Sequence, residues 1–109
     1  MDFSEAVQKI AVALNPQQII LFGSRARGDF KPDSDYDLLI VVDDSMTENT
    51  LKLAGRAHNA VGDRRFSLDV VVYRRRDFET SLQDQSDVVC YAIEDGKVLY
   101  ERESSKVAA

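Results

Sequence analysis

Five positions carry groups that could act together on a phosphate: Gly23, Ser24, Asp35, Asp37 and Asp69. Asp35 and Asp37 sit two apart at the start of an apolar run. In extended chain both point to one side, with backbones about 7 Å apart. Carboxylates that close repel unless a cation lies between them or one is protonated. Asp69 stands between Leu68 and Val70 in a β-branched run, where a lone charge is costly to bury. A divalent cation answers both problems, and hard oxygen donors suit Mg²⁺ or Mn²⁺. Gly23-Ser24 closes a separate apolar run. A backbone without a Cβ can approach a phosphate there, and N–H groups and a hydroxyl can donate to it. Arg25, Arg27 and Gly28 follow at once. Gly23 and Gly28 have Walker-A spacing, but Asp29-Phe30 stands where Lys-Ser/Thr would be, and no G-x-G-x-x-G occurs.

The elements that must position these groups can be read from periodicity. Asp2-Phe3-Ser4-Glu5 has capping-box spacing, and Phe3, Val7, Ile10, Ala11 and Leu14 recur at helical intervals before Asn15-Pro16. Gln18–Phe22 predicts a buried strand, and Gly23–Asp35 a loop with room for one helical turn. Tyr36–Val42 predicts a second strand. Ser45 with Glu48 repeats the capping spacing ahead of a helix striped by Leu51, Ala54, Ala57, His58 and Val61, with Gly62 as its stop. Ser67–Tyr73 predicts a third strand, followed by a basic turn at Arg74–Arg76. Short helices over Asp77–Gln83 and Asp87–Glu94, a stop at Gly96 and an edge strand at Lys97–Glu101 complete the pattern. The expectation is an α/β (α+β) fold: a small mixed β-sheet with helices packed mainly on one face. One domain is expected over residues 1–101, with a flexible tail at 102–109. The strand ends would bring Gly23-Ser24, Asp35, Asp37 and Asp69 to one sheet edge.

Composition narrows the function. The chain has 109 residues, 44% hydrophobic and 30% charged, which excludes disordered and fibrous classes. Fourteen Lys and Arg face nineteen Asp and Glu, for a net charge of −5. Phosphate backbones want the opposite sign, so a duplex nucleic-acid groove binder is not expected. No stretch has membrane-spanning length and no signal peptide opens the sequence. A lone Cys90 fits a reducing cytoplasm, and with the lone His58 it excludes a His/Cys zinc site. His58, Cys90, Tyr36 and Tyr73 read as packing residues. Arg64-Arg65 and Arg74–Arg76 read as solvated turns or a patch for an acidic partner. Six aspartates fall between Asp29 and Asp44, either a solvated loop or a cation site.

Gly23-Ser24, ten residues and then Asp35-x-Asp37 resembles the signature of the DNA polymerase β-type nucleotidyltransferase superfamily. The fuller strings Gly-Ser-Arg-Ala-Arg-Gly-Asp and Ser34-Asp35-Tyr36-Asp37-Leu38 resemble its minimal nucleotidyltransferase (MNT) branch, whose members are often antitoxins of HEPN-domain ribonuclease toxins. The resemblance implies that Asp35 and Asp37 bridge two Mg²⁺ ions. Asp69 completes the ligand set and helps deprotonate the acceptor hydroxyl, with Asp63 and Asp77 as fallbacks. Gly23 and Ser24 hold the β- and γ-phosphates of ATP, and Arg25 and Arg27 neutralise departing pyrophosphate. AMP transfer to a tyrosine hydroxyl of the toxin, silencing it, is the implied activity. Larger relatives carry a helical acceptor domain that this sequence lacks, so the acceptor is expected to be recognised by the core itself or brought by a protein partner, and a homo- or hetero-oligomer would supply cover for the apolar strands. Two other functions fit the same residues: an antitoxin that neutralises by binding alone, and an aminoglycoside-type small-molecule transferase.

Overall fold

Leu38–Val42 have no exposed surface at all, and the rest of the chain is arranged to enclose them. The computed structural model describes residues 2–84 and 88–102. The elements are α1 (Phe3–Leu14), β1 (Gln18–Phe22), α2 (Ser24–Arg27), β2 (Tyr36–Val42), α3 (Thr50–Val61), β3 (Leu68–Arg74), α4 (Arg75–Gln83), α5 (Val88–Asp95) and β4 (Lys97–Glu101). The sheet order is β3-β2-β1-β4. β1 runs antiparallel to both β2 and β4, whereas β2 and β3 are parallel. A parallel pair needs a crossover, and α3 supplies it.

Period-two alternation divides β2 between two cores. Leu38, Ile40 and Val42 pack with Ile19 and Leu21 of β1, with Ile10 and Leu14 of α1 and with Leu53 of α3. Leu39 and Val41 face the other way, with Ile20, Phe78 of α4 and Val89 of α5. The long helices α1 and α3 therefore form the main layer on one face, and α4 and α5 close a smaller core on the other. β4 takes an extra residue at Leu99, since Ile19 pairs Tyr100 and Ile20 pairs Val98. A bulge of this kind on an edge strand discourages pairing with another chain.

Several local expectations give way to competing groups. Ser45 and Glu48 do not cap α3; Asn49 does, accepting from the Leu51 and Lys52 amides. Glu48 instead pairs with Arg56. Leu53, with Ala57 and Val61 four and eight residues on, faces the core, and Leu51 in the first turn is 81% exposed. Arg74–Arg76 is not a turn, because β3 passes directly into α4. Arg74 donates to the Met46 and Glu48 carbonyls, holding the β2–α3 connection to the end of β3. Cys90 is only half-buried, its thiol donating to the Ser81 carbonyl at 3.5 Å. Asp87 and residues 103–109 lie outside the described residues.

At the far end of β2 the acids are neutralised. Arg102, the first residue of the expected tail, donates to Asp43 Oδ1 at 2.8 Å and Oδ2 at 3.0 Å, and Gln17 Nε2 donates to Oδ1 at 2.6 Å. Asp44 Oδ1 accepts from the Arg76 amide in the first turn of α4. The hydrogen bond from Arg102 and then that from Gln17 hold the Asp43 carboxyl below its ordinary value. A folded-state pKa below the unfolded one stabilises above the carboxylate range and ceases to do so as pH falls through it. Asp43→Asn is expected to cost about 1 kcal/mol at pH 7, because the pair is partly exposed. That is about 4–8 °C in Tm for a domain near this size. Thermal melts of both proteins from pH 7 to pH 3 should show the difference shrinking towards the acid end.

Candidate active site

The site is built by strand register. Phe22 pairs with Asp37 across β1 and β2, and Asp37 pairs with Asp69 across β2 and β3. The end of β1 and the starts of β2 and β3 thus stand in one row, with neighbouring strands about 4.8 Å apart. Paired residues share a face, so Asp37 and Asp69 lie on the α4/α5 side, and Asp35 reaches the same side two residues earlier.

Gly23 follows Phe22 at the row's edge with φ +78°, a left-handed value that favours glycine. A Cβ placed there would collide with the Asp37 Oδ2 oxygen. The glycine is therefore required twice, by its conformation and by the carboxylate packed against it. Its carbonyl accepts from the Ala26 and Arg27 amides, which starts the single turn of α2. Ser24 is the first residue of that turn.

The electrostatics match the geometry. Partial burial, then the Asp69 charge and then the Asp35 charge push the Asp37 carboxyl above its ordinary value, and Arg27 opposes them. Asp35 and Asp69 are themselves exposed. The burial cost expected for Asp69 does not arise, since β3 is a sheet edge and the side chain reaches solvent. A row of carboxylates that repel one another, all oxygen donors, suits a hard divalent ion. Among the described residues no three His, Cys, Asp or Glu side chains are already gathered tightly enough to hold one.

The two arginines of α2 have different surroundings. Arg27 makes an exposed pair with Asp29 at 3.4 Å and bears on Asp37. Arg25 is turned to the loop: its guanidinium donates to the Ser34 carbonyl at 3.2 and 3.3 Å and to the Pro32 carbonyl at 3.1 Å. It lies 4.3 Å from the Phe30 ring centre and 4.4 Å from that of Tyr36. Tyr36 in turn stacks on Phe3, with centroids 4.0 Å apart, and meets Phe66 edge-on. Packing is thus the role of Tyr36, as its sequence context implies. The cluster that holds Arg25 could not be found from spacing, because its rings come from residues 3, 30, 36 and 66.

This arrangement is the polymerase β-like nucleotidyltransferase fold. Residues 5–105 match the family model "Polymerase beta, Nucleotidyltransferase", and the chain belongs to that family. Solved structures of similar fold include a Sulfolobus solfataricus protein provisionally assigned to the nucleotidyltransferases. It is 24% identical at TM-score 0.60, over 93% of this chain and 78% of that one. Another comes from a toxin–antitoxin complex with AMP-PNP, 23% identical at TM-score 0.59, over 94% of this chain and 76% of that one. No curated protein matches. No helix of the described residues is long and apolar enough to cross a membrane.

Crowded charge at the site has a measurable consequence. A carboxyl whose folded pKa is raised destabilises the fold as pH rises through that value. Without added metal, Asp37→Asn is therefore expected to melt a few degrees above wild type at pH 7. The gap should close near pH 3, where the wild-type Asp37 carboxyl is protonated. Adding Mg²⁺ should raise the wild-type melting temperature and leave that of the variant nearly unchanged.

Proposed function

We propose that this chain transfers AMP from ATP to a hydroxyl of a partner protein, a tyrosine on a HEPN-domain ribonuclease toxin, and so acts as its antitoxin. The observation that carries the reading is the row Gly23–Asp37–Asp69: a backbone with no room for a side chain, set beside two like charges on adjacent strands. Family membership supports nucleotidyl transfer. The likeness to a chain from a toxin–antitoxin complex with AMP-PNP supports a toxin partner and an adenine nucleotide.

In this reading Gly23 and Ser24 hold the β- and γ-phosphates through backbone N–H groups and the hydroxyl. Asp35, Asp37 and Asp69 hold the divalent metal, Mg²⁺ or Mn²⁺. When bound, it supplies positive charge that offsets charge building on the attacking and leaving oxygens. Asp69, open to solvent, accepts the proton of the acceptor hydroxyl as that oxygen bonds to the α-phosphorus. The bond from the α-phosphorus to the β-bridging oxygen breaks, and pyrophosphate leaves beside Arg27.

A second reading, neutralisation by binding alone, draws on the exposure of Asp35 and Asp69 and on the ungathered state of the three carboxylates. One experiment separates them. The chain is incubated with α-labelled ATP, Mg²⁺ and the product of the neighbouring gene, the expected toxin. Label is expected on the toxin with wild type and not with the Asp35→Ala/Asp37→Ala double variant. Equal labelling by both, or none by wild type, overturns the mechanism, and protection of cells by the double variant favours binding alone. Gly23→Ala should lower the transfer rate at least about 100-fold, because displacing Asp37 by even an ångström misplaces the reacting groups.

A further inference from the structure

The two arginines of the Gly23–Gly28 segment are two residues apart on one helical turn. At 100° per residue their side chains leave the helix about 200° apart, so they cannot both face one phosphate. Arg27 is on the side of the acids. Arg25 points into the loop between α2 and β2, and everything it touches precedes or contains the first residues of β2. Three donor contacts fall on two carbonyls, Pro32 and Ser34. The Ser34 carbonyl belongs to the peptide that carries the Asp35 nitrogen. The guanidinium plane is held between Phe30 and Tyr36, and Tyr36 lies between Asp35 and Asp37 in sequence. The loop also closes on itself, the Lys31 amide donating to Ser34 Oγ at 2.8 Å and the Ser34 amide to the Lys31 carbonyl at 2.9 Å. On the far side of Tyr36, Phe3 brings in the first turn of α1 and Phe66 the segment before β3.

From this we infer that Arg25 is a positioning residue: clamped between Phe30 and Tyr36, it fixes the loop that delivers Asp35 and Asp37 and does not contact the nucleotide. The inference rests on the proposed site for its functional meaning, but the clamp itself is a property of the nucleotide-free chain. An ammonium cannot replace it. Lysine keeps the charge but has neither the planar face that stacks between two rings nor the fork that spans two carbonyls. A phosphate contact, in contrast, is one that lysine serves well.

The test is hydrogen exchange by NMR on nucleotide-free wild type, Arg25→Lys, Arg25→Ala and Phe30→Ala, followed by the labelled-ATP assay on each. Exchange at the Lys31 and Ser34 amides is expected to rise about ten-fold in both Arg25 variants and less in Phe30→Ala. The Leu39 and Ile40 amides of the buried strand should stay protected, which marks each variant as folded. If Arg25→Ala does not fold, Arg25→Lys and Phe30→Ala carry the test. Arg25→Lys is expected to be as poor in transfer as Arg25→Ala. Unchanged exchange at Lys31 and Ser34 in the Arg25 variants, or wild-type transfer by Arg25→Lys, would overturn the inference. Exchange is read without nucleotide, so loss of the clamp registers even if no AMP transfer occurs; absent transfer by wild type counts against the proposed function alone.

Discussion

The closeness of Gly23 to the Asp37 carboxylate is the constraint on which the rest of the site depends. It leaves no space for a Cβ between the two. The contact exists only while Phe22 is registered opposite Asp37. A slip of one residue would send every side chain of β2 to the wrong face. That register is secured by burial: Leu38 through Val42 fill two cores at once, so β2 has no alternative position in which both remain packed. Full burial of such side chains is worth about 1.5–3 kcal/mol each. A handful of apolar residues thus holds two charged ones in place.

The same strand separates the acids into two chemically different groups. The aspartates from Asp29 to Asp44 form one cluster in the sequence, yet β2 places Asp37 and Asp43 about 20 Å apart along its length. At the far end each carboxylate has a partner: Arg102 and Gln17 for Asp43, and the first turn of α4 for Asp44. At the near end Asp37 keeps its like-charged neighbours, and partial burial together with their repulsion raises its pKa. The chain neutralises carboxylates where they serve the fold and leaves them crowded where a cation can relieve them. Charge in the sequence could not distinguish these cases, because the partners come from residues 17, 76 and 102.

What was legible in the sequence was whatever local patterning alone decides. β1, β2, β4 and α1 occupy the predicted residues, since the apolar runs there end at Pro, Gly, a capping box or, for β2, at aspartates, with no rival signal. The row of Gly23, Asp37 and Asp69 followed from those strand ends. Where two local signals competed, tertiary contacts chose. Glu48 satisfied a capping pattern but is used by Arg56, and Asn49 took the cap. Arg74–Arg76 looked like a turn because it is charged, yet Arg74 is needed to hold two carbonyls of another connection. For Arg25, charge and place after Gly-Ser suggested a phosphate, whereas the positioning role we infer rests on rings, Phe30 and Tyr36, that only the fold assembles around it.

Holding a site of this kind ready has a cost that the fold must carry continuously. At neutral pH the crowded carboxylates work against folding whenever no cation is bound, and the left-handed Gly23 adds backbone freedom lost on folding. A loop joining α2 to β2 would relax that strain by letting Asp35 drift away from Asp37, at the expense of the geometry. The aromatic and guanidinium stack prevents this from the opposite face of the sheet, where it touches none of the acids. Order is therefore supplied from the α1/α3 side, and the carboxylates are presented on the α4/α5 side. Because Tyr36 alternates with Asp35 and Asp37 along one strand, neither side can move without the other.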